Sequence, residues 1–248
     1  IPANQTVALI QDYENAIACW GDSLTYGETT DYAYDASVAY PAVLENLTGI
    51  KTYNLGVGGE TSTTIAARQG AYNIRITEDF TIPRSGAVSI KFAAYEGDTY
   101  AGVVTPRDVG YGMWNPCFIN GVEGTLSVSV NTNVWPRILN SATFTRKTDG
   151  NEVAVKAGDL LIPAAQNVKA DINVFFTGTN HGWTAENLNS GEDPQKLAEL
   201  VGKQIAHAGS GKYIVLGLTS GDASTWTEEN AALQEAFGAN YLDLKGYL

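Results

Sequence analysis

Short apolar runs of the kind that form buried parallel strands lie at both ends of the chain, and amphipathic stretches with helical spacing follow them. The apolar runs lie at residues 16–20, 52–55, 170–176, 213–218 and 240–244. The helical patterns lie at residues 40–47, 64–69, 195–207 and 228–237. Alternating strands and helices predict a parallel sheet with helices on both faces, which is an α/β fold.

The middle of the chain has a different pattern, in which apolar and polar residues alternate with a period of two. This pattern occurs at residues 87–92, 126–130, 142–146 and 152–155, with glycine-containing turn signals between them. Such alternation is typical of antiparallel β structure. We therefore predict a discontinuous α/β domain, residues 1–71 and 169–248, interrupted by an inserted β-rich subdomain at residues 72–168.

Helix signals allow more local predictions. Pro41 is expected in the first turn of its helix, where its missing N–H costs nothing. Val43, Leu44 and Leu47 are then expected to face the sheet. Asp193 and Thr227 are predicted to cap the last two helices, and Glu192 is interpreted as part of the same capping segment.

The first candidate for chemistry is the sequence Gly-Asp-Ser-Leu-Thr-Tyr-Gly at residues 21–27, directly after the first apolar run. A serine at the carboxyl end of a parallel strand lies where open α/β folds bind their ligands. Ser23 is therefore a candidate nucleophile. Asp22 is expected to hold the loop by hydrogen bonds and not to act as the base, because adjacent side chains of an extended segment point in opposite directions.

Two further segments follow later strands. Residues 56–62 read Gly-Val-Gly-Gly-Glu-Thr-Ser, and residues 177–182 read Thr-Gly-Thr-Asn-His-Gly. Glycines let a backbone approach a ligand closely, and the amide of Asn180 can donate a hydrogen bond to a developing oxyanion. Either segment alone is also compatible with an ordinary tight turn. A phosphate-binding loop is disfavoured, because no Gly-Lys-Ser/Thr follows the glycines.

Taken in order, the three segments resemble the sequence blocks of the GDSL (SGNH) hydrolase family over residues 16–70 and 170–248. This resemblance implies a flavodoxin-like three-layer sandwich and a serine esterase that needs no cofactor. It implies that Ser23 is the nucleophile, and that the Ser23 N–H, the Gly59 N–H and the Asn180 side chain form the oxyanion hole. Gly178 belongs to the third block as a supporting residue.

The chain departs from the family at the catalytic base. In the family, the base is a histidine in an Asp-x-x-His block near the C-terminus, and neither of the two histidines, His181 and His207, lies in such a block. Three explanations stay open: the protein continues beyond residue 248 with that block, His181 substitutes as base or shapes the substrate pocket, or the scaffold binds without catalysis. His207 is expected to act as a cation at a helix C-terminus.

The resemblance implies small acyl esters as substrates, and acetyl esters of carbohydrates are favoured because the chain has no long apolar lid segment. The alternative is a catalytically silent glycan-binding or assembly module on the same scaffold. Aromatic residues of the insertion are expected to be core and rim residues or to stack on sugar rings, with residues 111–114 the most exposed group. The others are Tyr95, Tyr100, Phe118 and Trp135. The insertion is also a candidate oligomer interface.

Charge and composition exclude several other classes of function. The chain has 15 Lys and Arg against 27 Asp and Glu, a formal net charge of -12, which opposes binding to nucleic acid or to an anionic membrane. No apolar run reaches the ~18–20 residues of a membrane helix, and no spacing typical of a metal site is present. Two cysteines do not make a disulfide framework, and Cys19 is expected to fill the core. The chain starts at Ile1, as after removal of a secretion signal or in a trimmed chain, and we expect a secreted or cell-surface protein.

Overall fold

The computed structural model describes residues 11–28, 34–131, 133–134, 138–184, 191–222 and 224–247. Its fold is mixed α/β. The helices are α1 (Ser23–Tyr26), α2 (Tyr40–Thr48), α3 (Ser62–Gln69), α4 (Pro194–Ala208) and α5 (Thr227–Phe237), with short 3-10 helices at Ala164–Asn167, Gly238–Asn240 and Lys245–Tyr247. The strands are β1 (Gln11–Gly21), β2 (Lys51–Gly56), β3 (Asn73–Ile76), β4 (Phe80–Ile82), β5 (Ala87–Ile90), β6 (Phe92–Glu96), β7 (Thr99–Gly102), β8 (Cys117–Ile119), β9 (Val122–Asn131), β10 (Ile138–Arg146), β11 (Val153–Val155), β12 (Leu161–Pro163), β13 (Val168–Phe176), β14 (Lys212–Leu216) and β15 (Tyr241–Leu242).

Five strands form a parallel sheet in the order β15-β14-β13-β1-β2. In the chain, α2 lies between β1 and β2, α4 between β13 and β14, and α5 between β14 and β15. The predicted parallel sheet and its alternation with helices are therefore confirmed. The chain leaves β1 towards β2 on one side and returns to β13 on the other, so its direction along the sheet changes between β1 and β13.

β1 is a buried interior strand of this sheet, between β13 and β2. Residues 16–21 are all buried, as expected for a parallel strand covered on both faces. The indole N–H of Trp20 needs an acceptor at such depth, and the Oδ1 of Asn173 on β13 accepts it at 3.0 Å. Cys19 and Cys117 are both free and buried, and Cys19 fills the core as predicted.

The stretch between α3 and β13 forms antiparallel sheets, as its period-two pattern predicted. Their strand orders are β12-β8-β9-β10-β5, β3-β6-β7 and β11-β4. Leu126 of β9 pairs with Phe144 of β10 and both are fully buried, while Ser127 beside them is exposed. The buried side chains of this stretch and of the parallel sheet belong to one hydrophobic cluster. The domain division at residues 72 and 168 stays a prediction.

α2 presents a different face to the core from the one predicted. Val43 and Leu47 are 43% and 79% exposed, whereas Leu44 packs against the core. Pro41 is the fully buried residue of the helix, and Val43 lies two residues later, about 200° round a helix of 3.6 residues per turn. The burial of Pro41 therefore turns Val43 outward.

The predicted cap of α5 is also wrong. Thr227 is the first residue of the helix and not its cap, and Trp226 before it has a left-handed φ of 67°. The Thr227 hydroxyl instead donates to the carbonyl of Ser224 at 2.8 Å. Asp222 holds the turn before the helix by accepting the N–H groups of Ser224 and Thr225. The Thr227 hydroxyl therefore bonds to this turn and does not cap the helix. β15, at two residues, is shorter than the predicted run.

α4 begins and ends as predicted. The Oδ1 of Asp193 accepts the N–H of Gln195 at 3.0 Å, and Gly209 ends the helix with a φ of 68°. Leu197, Leu200 and Val201 bury its apolar face.

Within the described ranges, no helix has both the length and the apolar character that crossing a membrane requires.

Candidate active site

The carboxyl ends of β1, β2 and β13 lie side by side. Gly21, the last residue of β1, pairs with Gly56 of β2 and with Phe176 of β13. The three sequence blocks therefore leave three adjacent strands at one edge of the sheet. In open α/β sheets this edge binds ligands where the chain changes direction, which here is between β1 and β13.

Asp22 fixes the turn that carries Ser23. Its Oδ1 accepts the N–H of Leu24 at 3.0 Å and so caps α1, which begins at Ser23. Ser23 is 8% exposed. No side chain in the part of the chain that the structure describes hydrogen-bonds to its hydroxyl. The contact of Asp22 agrees with the loop-holding role predicted for it.

Glycines on the neighbouring strands let this turn pack closely. A Cβ on Gly21 would overlap the Oγ1 of Thr25, and a Cβ on Gly56 would overlap the backbone nitrogen of Tyr26. A side chain at either position would push the turn away from the strand ends. The glycines in the first two blocks are therefore required for close backbone approach.

The second block forms a tight turn over residues 57–60. The N–H of Glu60 donates to the carbonyl of Val57 at 3.3 Å, and Gly59 has a φ of 74°. A positive φ at the third position is the signature of a type II turn and favours glycine. The N–H of Val57 also donates to the carbonyl of Gly21 at 3.2 Å, which joins this turn to the first block.

The third block brings Asn180 onto the second. The Nδ2 of Asn180 donates to the carbonyl of Glu60 at 3.1 Å, and both groups are buried. Gly178 has a φ of 132°, and a Cβ there would lie 2.9 Å from the Cδ1 of Leu218. Gly178 therefore supports the site by letting the loop after β13 lie against the core.

The three predicted oxyanion donors thus follow adjacent strand ends. The N–H groups of Ser23 and Gly59 have no acceptor among the residues that the structure describes. Asn180 uses one of its two amide hydrogens for Glu60. Two backbone donors without acceptors and an amide with a second hydrogen can, in chemical terms, bind an oxygen that gains negative charge.

A buried ion pair anchors the second block. The Oε2 of Glu60 accepts the Nε–H of Arg68 at 2.9 Å, and neither side chain is exposed to solvent. The other Glu60 oxygen accepts the indole N–H of Trp114 at 2.6 Å. Arg68 also donates to the carbonyls of Leu55 and Gly112, each at 2.9 Å. Burial raises the pKa of Glu60, and the Arg68 charge opposes that rise.

Asp22 has a strongly shifted pKa. Burial raises the pKa of its carboxyl to about 7, the hydrogen bond from Leu24 opposes the rise, and the negative charge of Glu28 adds to it. Its Oδ2 is buried without a hydrogen-bond partner among the described residues. The neutral form of Asp22 is therefore favoured up to about neutral pH.

His181 lies at the same sheet edge, but its ring packs against tryptophans and does not pair with Ser23. Its ring stacks on Trp183 at 5.4 Å and contacts Trp226 at 5.0 Å between centroids. Its Nδ1 lies 3.6 Å from the Oε2 of Glu192. Within the described ranges it does not hydrogen-bond to Ser23. His181 is therefore part of an aromatic cluster with Trp183 and Trp226.

Glu192 is a site residue that the sequence interpretation missed. It does not cap α4; its buried carboxylate accepts the backbone N–H groups of Gly182, Trp183 and Thr184 at 2.8 to 3.0 Å. It thereby fixes the loop that carries His181. The sequence did not reveal this role, because Glu192 lies directly before Asp193 and an acidic residue at either position is suitable for capping a helix.

A cavity of about 190 Å³ opens beside the first two blocks. Tyr26 contacts Tyr34 and Tyr111 there, with ring centroids 4.7 and 4.5 Å apart. The remaining lining residues are Gly58, Arg107 and Asp108. Tyr111 is 45% exposed, as expected for the residue 111–114 group, and its ring contributes to the cavity wall.

The other aromatic residues of the insertion divide between core and surface. Trp114, predicted to be exposed with Tyr111, is fully buried because its indole N–H is the partner of Glu60. Phe118 is buried and Tyr100 is exposed. Tyr95 is half-buried. Trp135 lies outside the described residues.

The prediction for His207 is not supported. The ring lies in the last turn of α4, but loss of water around it and the charge of Lys169 lower its pKa. A lowered pKa favours the neutral imidazole at neutral pH, so His207 does not supply the expected helix-end cation.

In the described part of the chain, no group of three or more His, Cys, Asp or Glu side chains is arranged to hold a metal ion.

Comparisons with protein-family models, with curated proteins and with solved structures found no match to this chain.

We expect Arg68→Met to lower the free energy of unfolding by about 3–5 kcal/mol, because it leaves the Glu60 charge buried without its partner. Urea unfolding measures this loss. Lys91→Met, which removes an exposed pair with Glu78, is the control and should cost less than about 1 kcal/mol. Adding Glu60→Gln to Arg68→Met should recover part of the loss. Equal costs for the two single variants would contradict a structural role for the buried pair.

We expect the wild-type protein to lose stability as the pH rises from about 4 to about 7. A carboxyl whose pKa rises from 3.8 to about 7 on folding binds more protons in the folded state, so its contribution falls by up to about 1.4 kcal/mol per pH unit in that window. Asp22→Asn should flatten this decline in urea unfolding. Asp149→Asn, in an exposed turn, should leave it unchanged. A decline of the same slope in Asp22→Asn would show that other groups cause it.

Proposed function

We propose that the protein is a serine esterase of the GDSL (SGNH) type that hydrolyses short acyl esters. Ser23 attacks the ester carbonyl as a general base takes its hydroxyl proton, and the resulting oxyanion accepts hydrogen bonds from the Ser23 N–H, the Gly59 N–H and the Asn180 amide. The base returns that proton to the departing alcohol, which leaves an acyl group on Ser23, and water then hydrolyses this acyl ester to release the acid and restore the Ser23 hydroxyl. The chemistry needs no cofactor.

The observation that carries the proposal is the set of donors at the sheet edge. The N–H groups of Ser23 and Gly59 lack acceptors among the described residues, and Asn180 is fixed onto the Gly59 turn through Glu60. Donors that stay in place without a ligand pay no reorganisation cost when charge develops. Three donors from three separate blocks support oxyanion binding more strongly than an ordinary turn does.

The sheet topology supports the same proposal. Numbered by chain order within the parallel sheet, its strands run 2-1-3-4-5, which is the order of flavodoxin-like folds. Helices α3, α4 and α5 contact one another in sequence, while α2 contacts β2. This arrangement supports the three-layer sandwich, whose ligand site is expected at the switch between β1 and β13.

The proposed substrate is an acetyl ester on a carbohydrate. The cavity of about 190 Å³ beside the nucleophile turn is smaller than the roughly 300–1,000 Å³ of pockets for drug-sized ligands. It therefore suits one ring or a short acyl group better than a long chain. His181 does not line this cavity; its ring packs against Trp183 and Trp226, and its part in shaping a substrate pocket stays a prediction.

The second candidate function is glycan binding without turnover. It is favoured by one observation: neither His181 nor His207 hydrogen-bonds to the Ser23 hydroxyl in the described structure. A serine without a proton acceptor is a weak nucleophile at neutral pH. The loop donors and the tyrosine-lined cavity would then hold a glycan in place.

Ser23→Ala tests the esterase against the binding module. We expect the full-length protein to hydrolyse 4-nitrophenyl acetate and acetylated sugars, and Ser23→Ala to lower kcat/KM by at least about 1,000-fold. Ser85→Ala, at an exposed turn, should leave the rate unchanged. Equal background rates in the wild type and in Ser23→Ala, together with retained glycan binding, would favour the second candidate.

Asn180→Ala tests the oxyanion role. We expect kcat to fall by about 100- to 1,000-fold with little change in KM, because the lost hydrogen bond forms only as charge develops. Asn173→Ala is the matched control: this buried amide on β13 bonds Trp20 and should lower stability without a comparable loss of kcat. A similar fall of kcat in both variants would indicate a general structural effect.

A further inference from the structure

Arg107 lines the cavity beside the nucleophile turn. Among the residues that the structure describes, none forms a hydrogen bond or ion pair with the guanidinium of Arg107. Arg68, Arg75 and Arg146, in contrast, are all held by hydrogen bonds. In a chain with a net charge of -12, an arginine that lines a cavity and stays unpaired is available for an external anion.

Arg107 lies directly against the oxyanion turn. A Cβ on Gly59 would be 2.5 Å from its Nη1 and 2.7 Å from its Cδ, so the side chain packs on the Cα of Gly59. On the same turn, a Cβ on Gly58 would overlap the Tyr34 hydroxyl. The two glycines therefore make room for Arg107 and Tyr34 beside the donors of the proposed reaction.

The rest of the cavity is suited to a sugar ring. The rings of Tyr26, Tyr34 and Tyr111 line it and offer aromatic surface. Burial first, and the hydrogen bond with Tyr111 second, raise the pKa of Tyr26 to about 12, so its hydroxyl stays protonated. Asp108 uses one oxygen to accept the N–H of Gly110 at 2.9 Å, which leaves the other to accept hydroxyl groups.

We propose that this cavity binds a pyranose ring that carries a carboxylate, a hexuronic acid residue of the glycan. The carboxylate pairs with the Arg107 guanidinium, whose planar donors match it in a bidentate arrangement. Ring hydroxyls donate to Asp108, and a ring face packs on Tyr111. A neutral hexose lacks the carboxylate and leaves Arg107 unpaired. The inference rests on the proposed function only in identifying this sugar as part of the substrate, since binding itself needs no turnover.

Calorimetric titration of the full-length protein tests the inference. The probes are the methyl glycosides of glucuronic and galacturonic acid, each compared with the neutral methyl hexoside of the same configuration. We expect at least about tenfold tighter binding of the acidic sugar in one or both pairs, as a charge-assisted hydrogen bond provides. Arg107→Gln should abolish the preference, and Arg107→Lys should retain part of it.

Arg84→Gln is the matched control, because Arg84 is exposed in the turn before β5 and away from the cavity. It should keep the preference of the wild type. Equal affinity for acidic and neutral sugars, absence of binding by both, or a preference that survives in Arg107→Gln would overturn the inference.

The outcomes separate this inference from the esterase. If Ser23→Ala hydrolyses esters as fast as the wild type but the Arg107-dependent preference holds, the proposed reaction fails and the sugar site stands. If Ser23 is required for hydrolysis and the sugars show no preference, the esterase stands and the uronic acid site fails.

Discussion

The ion pair between Glu60 and Arg68 lies where water reaches neither charge. Removing two charges from water costs several kcal/mol per ion, and the attraction between them compensates only when the remaining polar atoms are also bonded. Trp114 and two backbone carbonyls meet that condition here. Because Glu60 closes the turn over residues 57–60 and its carbonyl accepts Asn180, the pair determines the position of the proposed oxyanion donors.

The sequence predicted the parts of this arrangement that depend on local patterns. Apolar runs located β1, β2, β13 and β14, and period-two alternation located the antiparallel strands, because burial of a strand leaves a direct record in residue type. Small residues after three strands located the candidate site in a similar way. A close backbone approach requires glycine, and the glycines can be recognised in the sequence.

Partners that are distant in the chain could not be predicted in this way. Glu60 and Trp114 are 54 positions apart, and no spacing rule joins them. Glu192 resembles a capping residue until the loop at residues 182–184 is seen to donate to it. The orientation of α2 was predicted wrongly because the burial of Pro41, in its first turn, outweighed the apolar periodicity of the later positions. The start of α5 was predicted wrongly because the turn around Asp222 engages the Thr227 hydroxyl.

The segment from Arg107 to Trp114 alternates between two kinds of position. Gly112 and Trp114 are locked to the buried charges below, whereas Arg107, Asp108 and Tyr111 face open space. A change at Gly112 or Trp114 disturbs the buried ion pair directly, whereas in the described structure the side chains of Arg107, Asp108 and Tyr111 make no hydrogen bond to that pair. Substitutions at residues 107, 108 and 111 are therefore expected to cost the least folding stability. Randomised libraries at these three positions could change which molecule is bound while the fold is kept.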